Sequence, residues 1–172
     1  MNQAPVRPEV MEMVKLLYND NFYLQQAEIV SADNELPYIL GRFKINNSGH
    51  YGFSPGHVHV PDSMAAAAQM GYAFFMQASL DGLIPEFPRV SLERLAEIAR
   101  DKTGGAFWKN IEDADFKALP LDFGGRMTIA SVHNNGGLLI DTRVKFGDVH
   151  PSGLGYNDIC KHRMDARFIV KF

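Results

Sequence analysis

The chain has 172 residues, of which 46% are apolar and 22% charged, so we expect one globular domain over residues 1–172. Its net charge of −3 gives no electrostatic reason to bind nucleic acid or an anionic membrane. The only cysteine, Cys160, excludes an intrachain disulfide and favours a reducing, cytoplasmic location.

The first half of the chain predicts a short helix, two strands and a long helix. Residues 9–19 have the apolar spacing of a helix, and residues 22–30 and 38–45 are typical of strands. Residues 62–80 contain four consecutive alanines and no proline, which favours a long helix. Because this helix is apolar on almost every side, we expect it to be buried. It carries too many polar residues for a membrane span.

The long helix has one narrow polar line, formed by Asp62, Gln69 and Gln77. These residues are spaced by close to two helical turns, which places them on one side. The two glutamines could orient a water or a thioester carbonyl. They could equally form a polar seam between two subunits.

The second half of the chain predicts one further helix and then mainly strands. Residues 91–101 have helical spacing, and residues 126–133 and 138–146 alternate as strands around an Asn-Asn-Gly-Gly turn. Residues 163–172 form a last alternating strand after a Gly/Pro-rich loop at 150–156. Long antiparallel strands with one buried helix indicate an α+β fold.

The loop before the long helix concentrates residues capable of chemistry. His50, His57 and His59 lie within ten residues and lead to Asp62 at the helix start. The N–H groups of a helix N-terminus can stabilise an oxyanion there. His57 and His59 point to one side of an extended chain and could bind a metal with His50 or Asp62. Ordinary loop roles are commoner for such histidines, and we expect no metal.

Asp62 allows two interpretations. It could act as a general base or a nucleophile beside the histidines. It could also be an ordinary first-turn carboxylate, stabilised by the helix dipole. Cys160 has no base beside it in the sequence, so catalysis by its thiol is not expected.

The order of these elements resembles a hot-dog domain, and most closely the FcoT-like long-chain fatty-acyl-CoA thioesterases. The resemblance rests on the strand at 41–45, on a polar-aromatic loop ending in Gly56-His57, and on the helix with Gln69, Tyr72 and Phe74. It continues more weakly through residues 107–117 and the hairpin. Two features depart from that family: Asp62 stands where those thioesterases lack an acidic residue, and the loop has additional histidines.

The resemblance implies an antiparallel sheet wrapped around a long central helix, in a homodimer that pairs its sheets. The implied activity is hydrolysis of a fatty-acyl thioester of coenzyme A or an acyl carrier protein. No cofactor is implied beyond the coenzyme A or phosphopantetheine of the substrate. The catalytic residues would be His57 or His50 as base, with Asp62 orienting the base or the water. The residues expected to contact substrate are Tyr51, Gly56, Val58, His59, Gln69 and Tyr72.

Two other functions fit the same residues. Some relatives act at the β-carbon of an enoyl or 3-hydroxyacyl thioester, by dehydration, hydration or addition of glycine, and here His50 would be the base. A non-catalytic acyl-binding dimer is the third interpretation. From charge alone, Arg126 or Arg143 would meet the coenzyme phosphates.

Overall fold

The computed structural model describes residues 2–32, 35–46, 56–101, 104–113, 118–134 and 138–170, with 104–113 described by backbone alone. No helix in these ranges is both long and apolar enough to cross a membrane. The α-helices within the described ranges are α1 (Pro8–Tyr18), α2 (Val60–Asp81) and α3 (Leu92–Asp101). The strands are β1 (Asn2–Pro5), β2 (Leu24–Ser31), β3 (Tyr38–Lys44), β4 (Gly104–Asp113), β5 (Asp122–Asn134), β6 (Leu138–Gly147) and β7 (His162–Val170).

The strands form one antiparallel sheet in the order β1-β2-β3-β5-β6-β7-β4. Its inner face is built by the period-two pattern that the sequence predicts, with apolar side chains at every second position. The predicted inward residues of β6 and β7 that the structure describes are buried: Leu138, Ile140, Thr142, Val144 and Phe146, then Met164, Ala166, Phe168 and Val170. Phe172, also predicted to face inward, lies outside the described residues.

Helix α2 packs against this inner face. A methyl group on Gly41 of β3 would lie 3.1 Å from the Met70 sulfur, and one on Gly71 would lie 2.5 Å from the Phe168 ring of β7. The helix therefore touches strands on both sides of the middle of the sheet. Gly82 ends it in a left-handed conformation, at φ 63°.

The coarse expectation, an antiparallel sheet with a buried helix, is confirmed. The helix has 22 residues and begins two residues before the predicted start at 62, because Val60 and Pro61 already form its first turn. That the sheet wraps around this helix, as in a hot-dog domain, stays a prediction.

Three strands differ from the sequence prediction. β1 was not predicted, since all four of its residues are exposed and carry no alternating pattern. β4 was not predicted either, and it pairs along β7 at the edge of the sheet. β5 begins at Asp122 rather than 126, because pairing with β3 and β6 overrides the low strand propensity of Gly124 and Gly125. The side chain of Trp108 and residues 135–137, 171 and 172 lie outside the described part.

The close contact of α2 with β7 gives a first prediction. Gly71→Ala should lower the free energy of unfolding by about 1–2 kcal/mol, because the new methyl overlaps the Phe168 ring. Gly56→Ala is the control, since its methyl would meet no atom within 4 Å. Urea unfolding of both variants measures the difference. Similar losses in the two would contradict this packing of α2.

Candidate functional site

Asp62 lies in the first turn of α2 and is closed to solvent, with 0% of its surface exposed. Its Oδ1 accepts a hydrogen bond from the hydroxyl of Tyr23, 3.0 Å away. Tyr23 is itself buried and directly precedes β2. A carboxylate in this position is stabilised by the charge-assisted bond and by the positive end of the helix. The structure thus has a buried carboxylate where the loop enters α2.

The next residue, Ser63, is hydrogen-bonded to β7, on the opposite side of α2 from Tyr23 and β2. Its Oγ lies 2.8 Å from Nδ1 of His162, the first residue of β7. Ser63 is fully buried and His162 is 7% exposed. A hydroxyl and an imidazole nitrogen at this distance form a hydrogen bond. This bond holds the first turn of α2 against β7.

His57 and His59 lie together just before α2, as the alternation of the extended chain predicts. Their ring centroids are 4.7 Å apart, with the rings tilted by 41°. His57 is exposed, whereas His59 is half-buried and is the N-cap residue of the helix. The carbonyl of His59 accepts the Ser63 N–H at 3.0 Å, which closes the first turn. Two imidazoles therefore stand side by side at the entrance of the helix.

The backbone N–H groups of this stretch are partly used. The Val58 N–H donates to the Leu119 carbonyl at 2.9 Å, which fastens the loop beside the start of β5. Pro61 has no N–H, and the N–H of Ser63 serves the helix itself. Val60, the first helical residue, has an N–H in the first turn that can serve as an oxyanion donor. The side chain of Val58 is buried, and a contact of Val58 with substrate stays a prediction.

Gln69 has a structural task that the sequence did not predict. Its Oε1 accepts the N–H groups of Tyr23 and Leu24 at 2.8 and 3.0 Å, and its Nε2 donates to the Asn21 carbonyl at 2.6 Å. Gln77 accepts the N–H of Arg7 at 2.9 Å. The polar line of α2 therefore fastens the helix to earlier segments of its own chain. A contact of Gln69 with substrate stays a prediction.

Tyr72 lies half-buried on α2, between Tyr18 of α1 and Phe168 of β7. Its ring centroid is 6.3 Å from that of Tyr18 and 6.4 Å from that of Phe168. Burial raises the pKa of the Tyr72 hydroxyl. The pKa of the Tyr18 hydroxyl is also raised, mainly by burial and to a smaller extent by the neighbouring Tyr72. Both hydroxyls are therefore neutral near pH 7 and can act as hydrogen-bond donors.

The remaining predictions concern the loop before α2, a metal site and the thiol of Cys160. Gly56 is exposed, while His50 and Tyr51 lie outside the described residues. Within the described ranges, no group of three His, Cys, Asp or Glu side chains is placed to hold a metal ion. Burial raises the pKa of the Cys160 thiol, which disfavours the nucleophilic thiolate.

Comparisons with known proteins find solved structures that are similar to this chain, including these two. No protein-family model matches the chain, and no curated protein does. A candidate thioesterase from Shewanella oneidensis is similar over 95% of this chain and 98% of its own, with 7% identity and a TM-score of 0.46. AziG from S. sahachiroi is similar over 96% of this chain and 97% of its own, with 11% identity and a TM-score of 0.41. Both TM-scores lie below 0.5, so neither similarity assigns a function to this chain.

Three residues of this site were missed by the sequence analysis: Tyr23, Ser63 and His162. Ser63 had one usable signal, a small polar side chain next to Asp62 in a first turn. Tyr23 and His162 had none, because they are 39 and 99 residues away from the groups they contact. Only the register of the strands brings them to the helix.

The Ser63–His162 pair gives a second prediction. Ser63→Ala should lower the free energy of unfolding by about 1–3 kcal/mol, because it removes the partner of a buried imidazole nitrogen. Ser79→Ala is the matched control in the same helix, since the buried Ser79 hydroxyl has no hydrogen-bond partner among the described residues. We expect that variant to be as stable as the wild type or more stable. Denaturant unfolding compares the two, and equal losses would contradict a stabilising Ser63–His162 bond.

Proposed function

We propose that this protein is a hot-dog enzyme that hydrolyses a fatty-acyl thioester of coenzyme A or an acyl carrier protein. The sheet would wrap around α2, with residues 1–172 as one domain. The sequence resemblance to FcoT-like thioesterases supports this fold and reaction. The arrangement of an antiparallel sheet, a buried helix and a histidine-containing entry segment agrees with it.

One observation carries the proposal: Asp62 is fully buried in the first turn of a buried helix, bonded to Tyr23. A carboxylate removed from water is costly unless it is hydrogen-bonded, and here its Oδ1 keeps the Tyr23 hydroxyl as a partner. Two histidines precede it in the chain by five and three residues, and the N–H groups of the helix begin in the same turn; these are the groups that acyl transfer to water requires.

Each group then has a defined role in hydrolysis. His57 accepts a proton from the attacking water, and Asp62 orients that water or the base. The oxygen of the thioester carbonyl gains negative charge, which the Val60 N–H and the positive end of α2 stabilise. When the C–S bond breaks, the imidazolium returns its proton to the leaving sulfur. His50 is the alternative base in the sequence, and Tyr72 and Gln69 would line the acyl site.

Chemistry at the β-carbon is the second candidate, because His57 and His59 place two imidazoles 4.7 Å apart. Hydration, dehydration or amine addition needs a second acid or base further along the acyl chain. A pair of neighbouring histidines can supply both groups.

The deciding experiment incubates purified protein with a saturated and a 2-enoyl thioester of equal chain length, with and without glycine. Release of free thiol from the saturated substrate supports hydrolysis. Consumption of the enoyl group without thiol release supports β-carbon chemistry instead. Binding of acyl thioester with neither reaction would leave the acyl-binding dimer as the function.

Variants of the site give a third prediction. His57→Ala should lower the hydrolysis rate by about 10²-fold or more if His57 is the general base, and Asp62→Asn should also lower it. Cys160→Ser is the control and should keep a near-normal rate, because its thiol plays no part. Small and equal losses in the histidine and cysteine variants would exclude this assignment.

We also propose that the enzyme is a cytoplasmic homodimer without a required metal. Light scattering should give the mass of two chains, and treatment with a chelator should leave turnover unchanged. A single-chain mass at every concentration would contradict the dimer. Loss of turnover that one divalent metal restores would show that His57 and His59 serve as ligands.

A further inference from the structure

A cavity of about 270 Å³ lies on the outer face of the sheet, separate from the candidate site at Asp62. Gly41 of β3 faces α2, because a methyl group on it would lie 3.1 Å from the sulfur of Met70. Tyr38 and Leu40 are an odd number of positions from Gly41, so they point to the opposite face of the sheet. The residues that define the chemistry of the cavity are Tyr38, Leu40, Arg126, His150, Tyr156 and Asp158.

The wall of this cavity is the loop between β6 and β7, which is firmly packed. A methyl group on Gly124 would lie 1.7 Å from the carbonyl oxygen of Gly155, so the loop lies directly on β5. The same carbonyl accepts the N–H of His150 at 2.9 Å. Lys161 closes the base of the loop with an ion pair to Asp148 at 2.7 Å. The wall is therefore fixed both by packing and by polar contacts.

Arg126 differs from three other arginines on this face of the sheet in its partners. Arg42, Arg143 and Arg167 each form an ion pair with a carboxylate of a neighbouring strand, at 2.8, 3.0 and 2.9 Å. Within the described ranges Arg126 forms no ion pair, and its guanidinium lies over the Tyr38 ring, 4.0 Å from the centroid. An aromatic ring leaves the N–H donors of a guanidinium available, and their fork matches the two oxygens of a carboxylate.

Arg126 also belongs to a row of three basic residues on adjacent strands. It is directly opposite Lys145 of β6, and Lys145 is directly opposite Arg163 of β7. In the next row of this face the opposed residues Arg143 and Asp165 carry opposite charges. Like charges in opposed positions destabilise a sheet, and within the described residues neither Arg126 nor Lys145 has an ion-pair partner. An anion bound at Arg126 would offset this repulsion.

The cavity also contains a negative group, Asp158, which is exposed. Burial raises the pKa of the Tyr156 hydroxyl; Cys160 and Asp158 also raise it, and Arg126 lowers it. Because electrostatic effects weaken with distance, Arg126 and Asp158 both lie near this hydroxyl. The cavity therefore presents one positive and one negative side chain around a neutral hydroxyl.

These groups limit the charge and the size of a ligand. A second negative charge would be repelled by Asp158, whereas a carboxylate that also carries a hydrogen-bond donor can bind Arg126 and Asp158 together. At about 30 Å³ for each water-sized group, 270 Å³ holds about nine heavy atoms. Leu40 supplies apolar surface. His150 supplies a further donor, because its Nδ1 accepts the N–H of Ser152 at 3.2 Å and the neutral ring then carries its proton on Nε2.

We propose that this cavity binds a small carboxylic acid of about nine heavy atoms that carries a hydroxyl or ammonium group beside its carboxylate. The carboxylate accepts from Arg126 and from Nε2 of His150, and the hydroxyl or ammonium group donates to Asp158. The apolar chain of the ligand packs on Leu40 and Tyr156. This site does not depend on the proposed hydrolysis of thioesters, since it lies on the other face of the sheet.

Calorimetry with four ligands of nearly equal size tests the proposal. Leucine and its hydroxy analogue, leucic acid, carry the carboxylate and one donor; isocaproate lacks the donor, and leucinamide lacks the carboxylate. Leucine or leucic acid should bind the wild-type protein with a Kd of about 1 mM or lower, and the tighter of the two identifies the donor. Isocaproate and leucinamide should bind about 10-fold more weakly than that ligand. Equal binding of either one, or no binding of leucine and leucic acid, would overturn the proposal.

Variants of the two charged residues locate the binding. Arg126→Ala should weaken the tighter ligand about 10-fold or more, because it removes the guanidinium. Arg143→Ala is the matched control, an arginine of the neighbouring strand that is held by Asp165 and lies outside the cavity. Equal losses in the two variants would contradict a site at Arg126.

Asp158→Asn separates the two ends of the ligand. It should weaken the tighter ligand about 3-fold and strengthen isocaproate, since it removes a charge that attracts the donor and repels the carboxylate. Asparagine tolerates the φ of 49° at this position, so the loop should keep its shape. A change of the same sign for both ligands would show that Asp158 does not bind the donor.

Discussion

The amide of Gln69 fixes the position of α2, and the candidate site depends on that position. Its two polar atoms bond three backbone groups of residues 21–24, at 2.6–3.0 Å. Apolar packing has little directional preference, so a helix that is apolar on nearly every side could settle in several rotations. An amide buried in that surface must keep its partners, because losing them costs about 1–3 kcal/mol each. Gln77 repeats the arrangement near Arg7, two turns further along.

With α2 fixed in this way, its first turn is held from both sides. Asp62 bonds Tyr23 before β2, and Ser63 contacts His162 at the start of β7. The carboxylate and the N–H groups of that turn therefore have fixed directions. Fixed dipoles of this kind stabilise developing charge more effectively than groups that must first reorient. The same restraint explains why polar residues are tolerated in so apolar a helix.

Patterns within one segment were enough to predict most of the fold. The alternation in β6 and β7 reflects burial of one face of the sheet, and the apolar composition of α2 reflects burial of the whole helix. Both patterns can be seen in residues that are close in the sequence. β1 and β4 escaped because edge strands are specified by the strand they pair with rather than by their own pattern. The α+β class with an antiparallel sheet could thus be predicted, while the strand order could not.

The candidate site was predictable only where its residues are close in the chain. Asp62 and the neighbouring histidines were found because glycine, proline and histidine concentrate before one helix. Tyr23 and His162 come from distant segments, and the loop between β6 and β7 packs on Gly124 only in the folded sheet. Gln69 was identified as a polar residue in an apolar helix. Its partners could not be predicted, because they are backbone groups, which every residue has.

The contact between Ser63 and His162 also sets an order in time. During synthesis α2 can leave the ribosome and pack on β2 and β3 long before residue 162 exists, since 99 residues separate the pair. A nascent chain that ends before β7 therefore lacks one of the two restraints on the first turn of α2, together with the inner surface that Phe168 provides. Domains generally fold as units once their sequence has emerged. In this chain the helix that carries Asp62 reaches its final geometry only after β7 has been made.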